Sequence, residues 1–401
     1  MRQRAMDLLT QIDENLRSQY FDVAINPSFA DGHPGVAMFY AYYYKLTLKN
    51  EHLDICHRLI DRLVDYLADN DTNFSYSICS GVTGVVWTLQ HLMKEKILQE
   101  DDTVFAEIDE LLRNVGKNRI SLGDFDYLHG GLGCAIYLLD KANNSDVVDE
   151  MLEALNQSSK TDEVGKYWID IYTTLLSGDK RPTVNFGLAH GQPSIIYFLA
   201  KVVEKGYGGT LAIKMLKDSI NYLLVHSDIS TGVPSFFPTF RYAGDMDVHE
   251  PKEFSRLAWC YGDLGVVFSL FFASRALKDD RLQEIALKIS LKSTERKKFE
   301  ETQIMDGGLC HGFAGVAHLY NRLYMQTENS IFLNTSNYWA NELIDYIVKI
   351  GGINCFNEYH RGEGYKLSKG FLAGSAGAGL MLISVLENSI KPNWDRFLLL
   401  S

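Results

Sequence analysis

One short pattern recurs seven times along this chain and constrains its fold more than any other feature. The copies are Gly32-His-Pro-Gly35, Gly81-Val-Thr-Gly84, Gly130-Gly-Leu-Gly133, Gly191-Gln-Pro-Ser194, Gly262-Asp-Leu-Gly265, Gly312-Phe-Ala-Gly315 and Gly374-Ser-Ala-Gly377. The first glycines are 49, 49, 61, 71, 50 and 62 residues apart, which is room for two helices and their connections per repeat. Each copy precedes an apolar stretch of helical length, such as Val85-Val86-Trp87-Thr88-Leu89-Gln90-His91-Leu92. These stretches are too apolar all round for a surface helix and are predicted to be buried. Between them lie amphipathic segments, for example Ile60, Leu63, Val64 and Leu67 at i, i+3, i+4 and i+7, which suit an outer layer.

Glycine at both ends of a four-residue turn permits positive φ and close backbone approach, and leaves the N–H groups of the following helix open to whatever lies above. The reading with fewest assumptions is an all-α fold, an α/α toroid of seven inner and seven outer helices in which the first and last repeats meet. Residues 1–401 then form a single domain, although a prior of about 150 residues per domain would suggest two or three. Pro234 and Pro238 interrupt any helix before the fifth turn, so a loop or β-containing insertion is expected around 227–258. The segment 351–369, with four glycines, is a similar excursion.

Composition narrows the partners. Lys plus Arg number 39 against 51 Asp plus Glu, a net charge of −12 with no basic run, which is a poor match for nucleic acid. Asp7, Gln11, Asp13 and Glu14 break any signal-peptide core, and the uncharged stretch from Gly370 to Leu386 is shorter than a membrane span and carries four glycines. A cytoplasmic protein is expected, with any membrane association made through partners. Six cysteines without a CxxC pair do not form a disulfide framework, so a special cysteine is expected to be a metal ligand or a nucleophile.

Aligning the turns shows where the chemistry gathers. The residue before the first glycine is Asp31, Ser80, His129, His190, Tyr261, His311 and Ala373 in order, and the one before that includes Cys79, Cys260 and Cys310. Cys260, Cys310 and His311 supply two thiolates and an imidazole from adjacent repeats, the donor set of a catalytic zinc with one position open. Cys79 shares the slot but belongs to a distant repeat and reads as packing. His190 in Gly-Leu-Ala-His-Gly is either a general acid or base or a satisfied polar rim residue. His129 reads as structural. Asp126 is suited to orienting or balancing a cation, or is an ordinary turn aspartate. Arg256, four residues before Cys260, projects toward the same place if that segment is helical, and otherwise makes an outward salt bridge. Phe236, Phe237, Phe240 and Tyr242 either anchor a peptide or cover the edge of the fold.

The seven turns with Gly-Leu-Ala-His-Gly, Trp-Cys-Tyr-Gly and Gly-Leu-Cys-His-Gly in that order closely resemble the lanthionine synthetase C family, in particular its stand-alone bacterial cyclases. The resemblance covers almost the whole chain. It implies a zinc-dependent cyclase that adds cysteine thiolates to dehydroalanine or dehydrobutyrine in a dehydrated precursor peptide, forming thioether rings. It implies zinc ligands Cys260, Cys310 and His311, a catalytic His190, and Asp126, Arg256 and Tyr261 beside them. The expected partners are the precursor peptide, a separate dehydratase and an export transporter. Ser194 departs from the pattern and is expected to alter the turn behind His190. A zinc thiol alkyltransferase of the prenyltransferase kind and a non-catalytic peptide- or glutathione-binding relative remain as alternatives.

Overall fold

In the computed structural model each of the seven glycine turns starts a helix. The structure describes residues 1–20, 24–69, 75–101, 105–141, 144–171, 181–227, 234–244, 255–353, 356–360 and 364–401. Among them, seven buried helices follow the turns: α2 (His33–Thr47), α4 (Val82–Lys94), α6 (Gly131–Leu139), α8 (Gln192–Glu204), α10 (Asp263–Leu277), α12 (Phe313–Thr327) and α14 (Ser375–Leu386). They alternate with seven half-exposed helices: α1 (Arg2–Tyr20), α3 (Asn50–Asp69), α5 (Ala106–Ser121), α7 (Ser145–Ser158), α9 (Gly209–Val225), α11 (Asp280–Ser293) and α13 (Ser330–Lys349). The strands are short antiparallel pairs: β1 (Lys160–Thr161) with β2 (Lys166–Tyr167), β3 (Thr183–Asn185) with β4 (Phe240–Tyr242), and β5 (Asn357–His360) with β6 (Gly364–Leu367).

The turn is built backwards from its glycine. Six residues earlier stands Asn26, Ser75, Asp124, Asn185, Arg256, Asp306 or Ser368. In four copies its side-chain oxygen accepts the N–H two residues on: Asn26 from Ser28, Ser75 from Ser77, Asn185 from Gly187 and Asp306 from Gly308. This Asx or Ser turn folds the chain back, so that the same residue's carbonyl accepts the first N–H of the new helix, as Asn26 does from His33 and Asp306 from Phe313. The chain is then so tight that a Cβ on Gly81 would stand 2.0 Å from the Ser75 carbonyl oxygen. Close approach, and not positive φ, is therefore what the first glycine supplies. Six of the seven keep φ between −102° and −140°, and only Gly262 is left-handed, at +111°. Turn five is also the one with Arg256 in the Asx slot. There Asp263, fully buried beside Arg296, holds the Phe236 and Phe237 N–H groups. Gly191 has the same extended geometry as its counterparts, so Ser194 leaves the fourth turn intact. Its hydroxyl donates to the Gly191 carbonyl.

The chain divides into two compact units, Met1–Val104 with Ile304–Phe397 and Ser401, and Phe105–Gln303 with Leu398–Leu400. In the first, the residue two before each glycine links one turn to the next through the backbone. Cys310 N–H donates to the Leu372 carbonyl, Leu372 to Ala30 and Ala30 to Cys79, so the seventh turn is bonded to the first, as the repeat reading requires. Beneath these turns Phe29 stacks on Phe397 at 4.0 Å between centroids and lies 4.6 Å from Phe371 and 5.3 Å from Trp87. The segment Asn393–Leu398 brings Trp394 and Phe397 into this core, with no repeat pattern to announce it. Its Asp395 is fully buried and accepts from His318 and Ser401.

In the second unit Ala189 N–H donates to the Cys260 carbonyl by the same rule, and α8 packs on both α9 and α10. Residues 228–233 and 245–254 of the expected insertion lie outside the described residues. Its described part pairs β4 with β3 in register Asn185 to Phe240. Phe236 and Phe237 are buried in the core, which removes them as anchors for a peptide, whereas Phe240 and Tyr242 are half-exposed on β4.

If the glycines serve close approach, Gly81→Ala must push the Ser75 carbonyl away and is expected to lower the unfolding free energy by about 1–3 kcal/mol, read by chemical denaturation.

Candidate functional site

The second unit gathers most of the singled-out residues at its turns. Asp126 stands four residues before its glycine, where the other turns carry Ser28, Ser77, Gly187, Ala258, Gly308 and Gly370. The serines at this slot accept the N–H three residues on, and Asp126 Oδ1 does the same for His129 at 2.8 Å. A carboxylate has a second oxygen, and Asp126 Oδ2 lies 2.7 Å from His190 Nδ1 on the following turn. The Nδ1–H therefore donates to Asp126, and Nε2 is the nitrogen left for proton exchange. Asp126 is 2% exposed, while the His190 side chain keeps 22% of its surface open.

Electrostatics tie the pair together. Burial disfavours the imidazolium, but the Asp126 charge and hydrogen bond, with smaller help from Cys260 and Asp170, outweigh it and hold His190 above its ordinary pKa. Burial likewise pushes Asp126 up, and the His190 charge and hydrogen bond, with His129, bring it below the usual carboxylate value. His129, read from sequence as structural, lies parallel to His190 with ring centroids 5.9 Å apart.

Tyr261 comes from the next turn, its ring 5.7 Å from that of His190. Gly187 makes room for it, since a Cβ there would stand 2.7 Å from the Tyr261 ring and 2.5 Å from the Cys260 carbonyl oxygen. Cys260 is 6% exposed and close enough to His190 and Tyr261 to influence the ionisation of both. Arg256 is a correction: residues 255–262 are not helical, so its position four before Cys260 places it on no shared helix face. The Arg256 carbonyl oxygen is what crowds Gly262, 2.1 Å from where a Cβ would stand. Sequence reading missed Asn185 and Asp170. Asn185 donates to Asp170 at 2.8 Å and to the Tyr261 hydroxyl at 3.3 Å, and the signal that would have found Asn185 is the Asx slot six residues before the glycine.

Cys310 and His311 belong to the first unit. Leu309 and Cys310 are held by their N–H groups on the Leu372 carbonyl. His311 Nδ1 is buried and makes no hydrogen bond, and Nε2 lies 3.5 Å from Asp306 Oδ2, an oxygen that is itself buried without a hydrogen bond. An imidazole left with an unsatisfied buried nitrogen beside a thiol has the chemistry of a metal ligand, with a carboxylate behind its other nitrogen. Among the described residues no group of three or more His, Cys, Asp or Glu side chains is arranged to hold a metal ion. Cys79, in the equivalent slot, is buried, and its carbonyl accepts from Ala30 and Ser28. No described helix is long and apolar enough to cross a membrane.

Comparison with known proteins bears on the family and the fold. The family model of lanthionine synthetase C-like proteins matches residues 24–399. The nisin biosynthesis protein NisC of Lactococcus lactis subsp. lactis is 24% identical over 420 residues, covering 98% of this chain and 94% of that protein. Glutathione S-transferase LANCL1 of Danio rerio is 26% identical over 162 residues, 40% of this chain and 35% of the relative. Among solved structures, nisin cyclase superposes with a TM-score of 0.78 at 20% identity, covering 99% of this chain and 97% of the other. At that identity the likeness shows the fold, which is the all-α, α/α toroid class expected from the repeats.

The Asp126–His190 pair makes a pH prediction. A carboxylate held below 3.8 adds stability above that value and loses it on acidification, whereas an imidazole held above 6.5 adds stability below 6.5 and loses it as pH rises through its raised pKa. Asp126→Asn is therefore expected to cost most between those limits, on the order of 1 kcal/mol, and less on either side. Denaturation of metal-free protein across pH 3–9 measures it.

Proposed function

The chain belongs to the lanthionine synthetase C-like family, and from that premise we propose that it closes thioether rings in a dehydrated precursor peptide. The observation that carries the reading is the Asp126–His190 pair, a proton carrier of raised basicity set beside Tyr261 and the Cys260 turn. In the reaction a substrate cysteine gives up its S–H proton to solvent and the resulting thiolate bonds to the β-carbon of dehydroalanine or dehydrobutyrine. The alkene pair moves onto the carbonyl oxygen as an enolate, and a proton delivered to the α-carbon completes the ring. His190 Nε2 delivers that proton, while Asp126 keeps the ring in one tautomer and balances the charge it carries before transfer.

The resident metal in this reading is zinc, with Cys260, Cys310 and His311 as its ligands. The support is the donor chemistry of two thiols and an imidazole, together with the unsatisfied Nδ1 of His311. When bound, zinc makes the substrate thiol ionise at neutral pH. Arg256 is proposed to act at the same rim, though not from a helix. The substrate's dehydrated residues would come from a separate dehydratase, and its product would pass to an exporter; Phe240 and Tyr242 on β4 are the aromatics left to meet the peptide. The protein is proposed to work in the cytoplasm.

Incubation of purified protein with a dehydrated, cysteine-containing peptide tests the activity. Loss of alkylatable thiol with no change in peptide mass is expected, whereas a mass gain with a prenyl diphosphate, or binding of glutathione without turnover, would favour the alternatives. Metal analysis is expected to find one zinc per chain, lost in Cys260→Ala and Cys310→Ala and kept in Cys79→Ala. His190→Ala is expected to keep its zinc and slow ring closure about 100-fold, since thiol ionisation survives and proton delivery does not.

A further inference from the structure

Asn185 does more than its place in the turn requires. The slot six before the glycine needs only an oxygen that accepts the N–H two residues on, and Ser75 meets that need with a hydroxyl. Asn185 Oδ1 does so for Gly187 at 2.8 Å, which leaves its amide nitrogen over. That Nδ2 donates to Asp170 Oδ2 at 2.8 Å and to the Tyr261 hydroxyl at 3.3 Å. Asp170 is 2% exposed and held in place by its own N–H on the Thr183 carbonyl at 2.8 Å.

The direction of these bonds is fixed by chemistry. A carboxylate only accepts and the Gly187 N–H only donates, so the amide cannot be turned over without losing both bonds. The Tyr261 oxygen therefore receives a proton from Asn185, and its own proton must point elsewhere. A phenol carries a single O–H, and with the Asn185 side occupied by an incoming donor this O–H is free to meet another acceptor.

We propose that Asn185 and Asp170 are positioning residues for ring closure, holding the Tyr261 hydroxyl so that its proton is presented to the substrate carbonyl oxygen on which enolate charge gathers. The proposal rests on the cyclase reading. As the sulfur–carbon bond forms and the alkene pair moves onto oxygen, the Tyr261 hydrogen bond strengthens, and it keeps its proton while His190 supplies the one that reaches the α-carbon. A donor already aimed at the developing charge lowers the barrier without reorganisation at the moment of reaction.

The test is a double-mutant cycle on thiol consumption by a dehydrated peptide with one cysteine. Asn185→Ser keeps the turn, as Ser75 does, and removes the amide nitrogen. It is expected to lower kcat about 10- to 100-fold with KM and melting temperature near those of the wild type. In a Tyr261→Phe background, itself impaired, Asn185→Ser is expected to cost nothing more. Should Asn185→Ser prove unstable, Asp170→Asn reads the same coupling. An equal loss in both backgrounds, or an unchanged kcat, overturns the proposal and leaves Asn185 a turn residue only. Wild-type protein that consumes no thiol, while folded and zinc-loaded, overturns the cyclase reading and this proposal with it, a result distinct from either of those.

Discussion

Everything functional in this protein hangs on one backbone constraint, the contact between a turn glycine and the carbonyl six residues before it. In four of the turns, those of Gly32, Gly81, Gly130 and Gly312, that carbonyl accepts the first N–H of a buried helix, because a buried and unpaired donor would cost more than one hydrogen bond returns. Only a residue without a Cβ lets it come near enough, at 2.0 Å from the Cβ position in the case of Gly81. Once the turn is closed, the three residues before the glycine have fixed jobs. The residue three before it is buried and apolar in all seven copies, from Phe29 to Phe371. In six copies, from Ala30 to Leu372, the next joins a neighbouring turn through the backbone, and the last is free to carry a histidine or tyrosine.

The variation among the repeats is therefore where chemistry enters. Asp126 caps its own turn with one oxygen, as a serine would, and grips His190 with the other. Asn185 caps with its oxygen and spends its nitrogen on Asp170 and Tyr261. Asp306 caps with one oxygen and turns the other toward His311. In each case a residue the fold already needed is replaced by one with a spare polar atom, and the spare atom faces a side chain at the position just before a glycine.

Much of this was legible in the sequence. The glycine period carried the alternation of buried and half-exposed helices and the meeting of the first and last turns, and the aligned slots pointed to His190, Tyr261 and Cys260, which stand on adjacent turns. What escaped were interactions that join residues without a shared period. The helical spacing on which a shared face of Arg256 and Cys260 depends is absent, since residues 255–262 are not helical. Phe236 and Phe237 left two roles open, peptide anchor or cover, and the buried Asp263 decides between them by holding their N–H groups inward. Asp170 has no counterpart in the other repeats, and the C-terminal Trp394 and Phe397 fill the first unit's core from outside the repeat altogether.

The central claim is that ring closure ends in delivery of a solvent-exchangeable proton by His190 to the α-carbon of an enolate. Cyclisation of a dehydrated peptide in D2O tests it most directly, with the product analysed by mass and by chiral separation of the hydrolysed thioether amino acids. The expected result is a single deuteron at the α-carbon for each ring, in a single configuration with the wild-type protein, with slower labelling in His190→Ala. Rings formed without deuterium, or formed at the wild-type rate and with the wild-type configuration in His190→Ala, would contradict it.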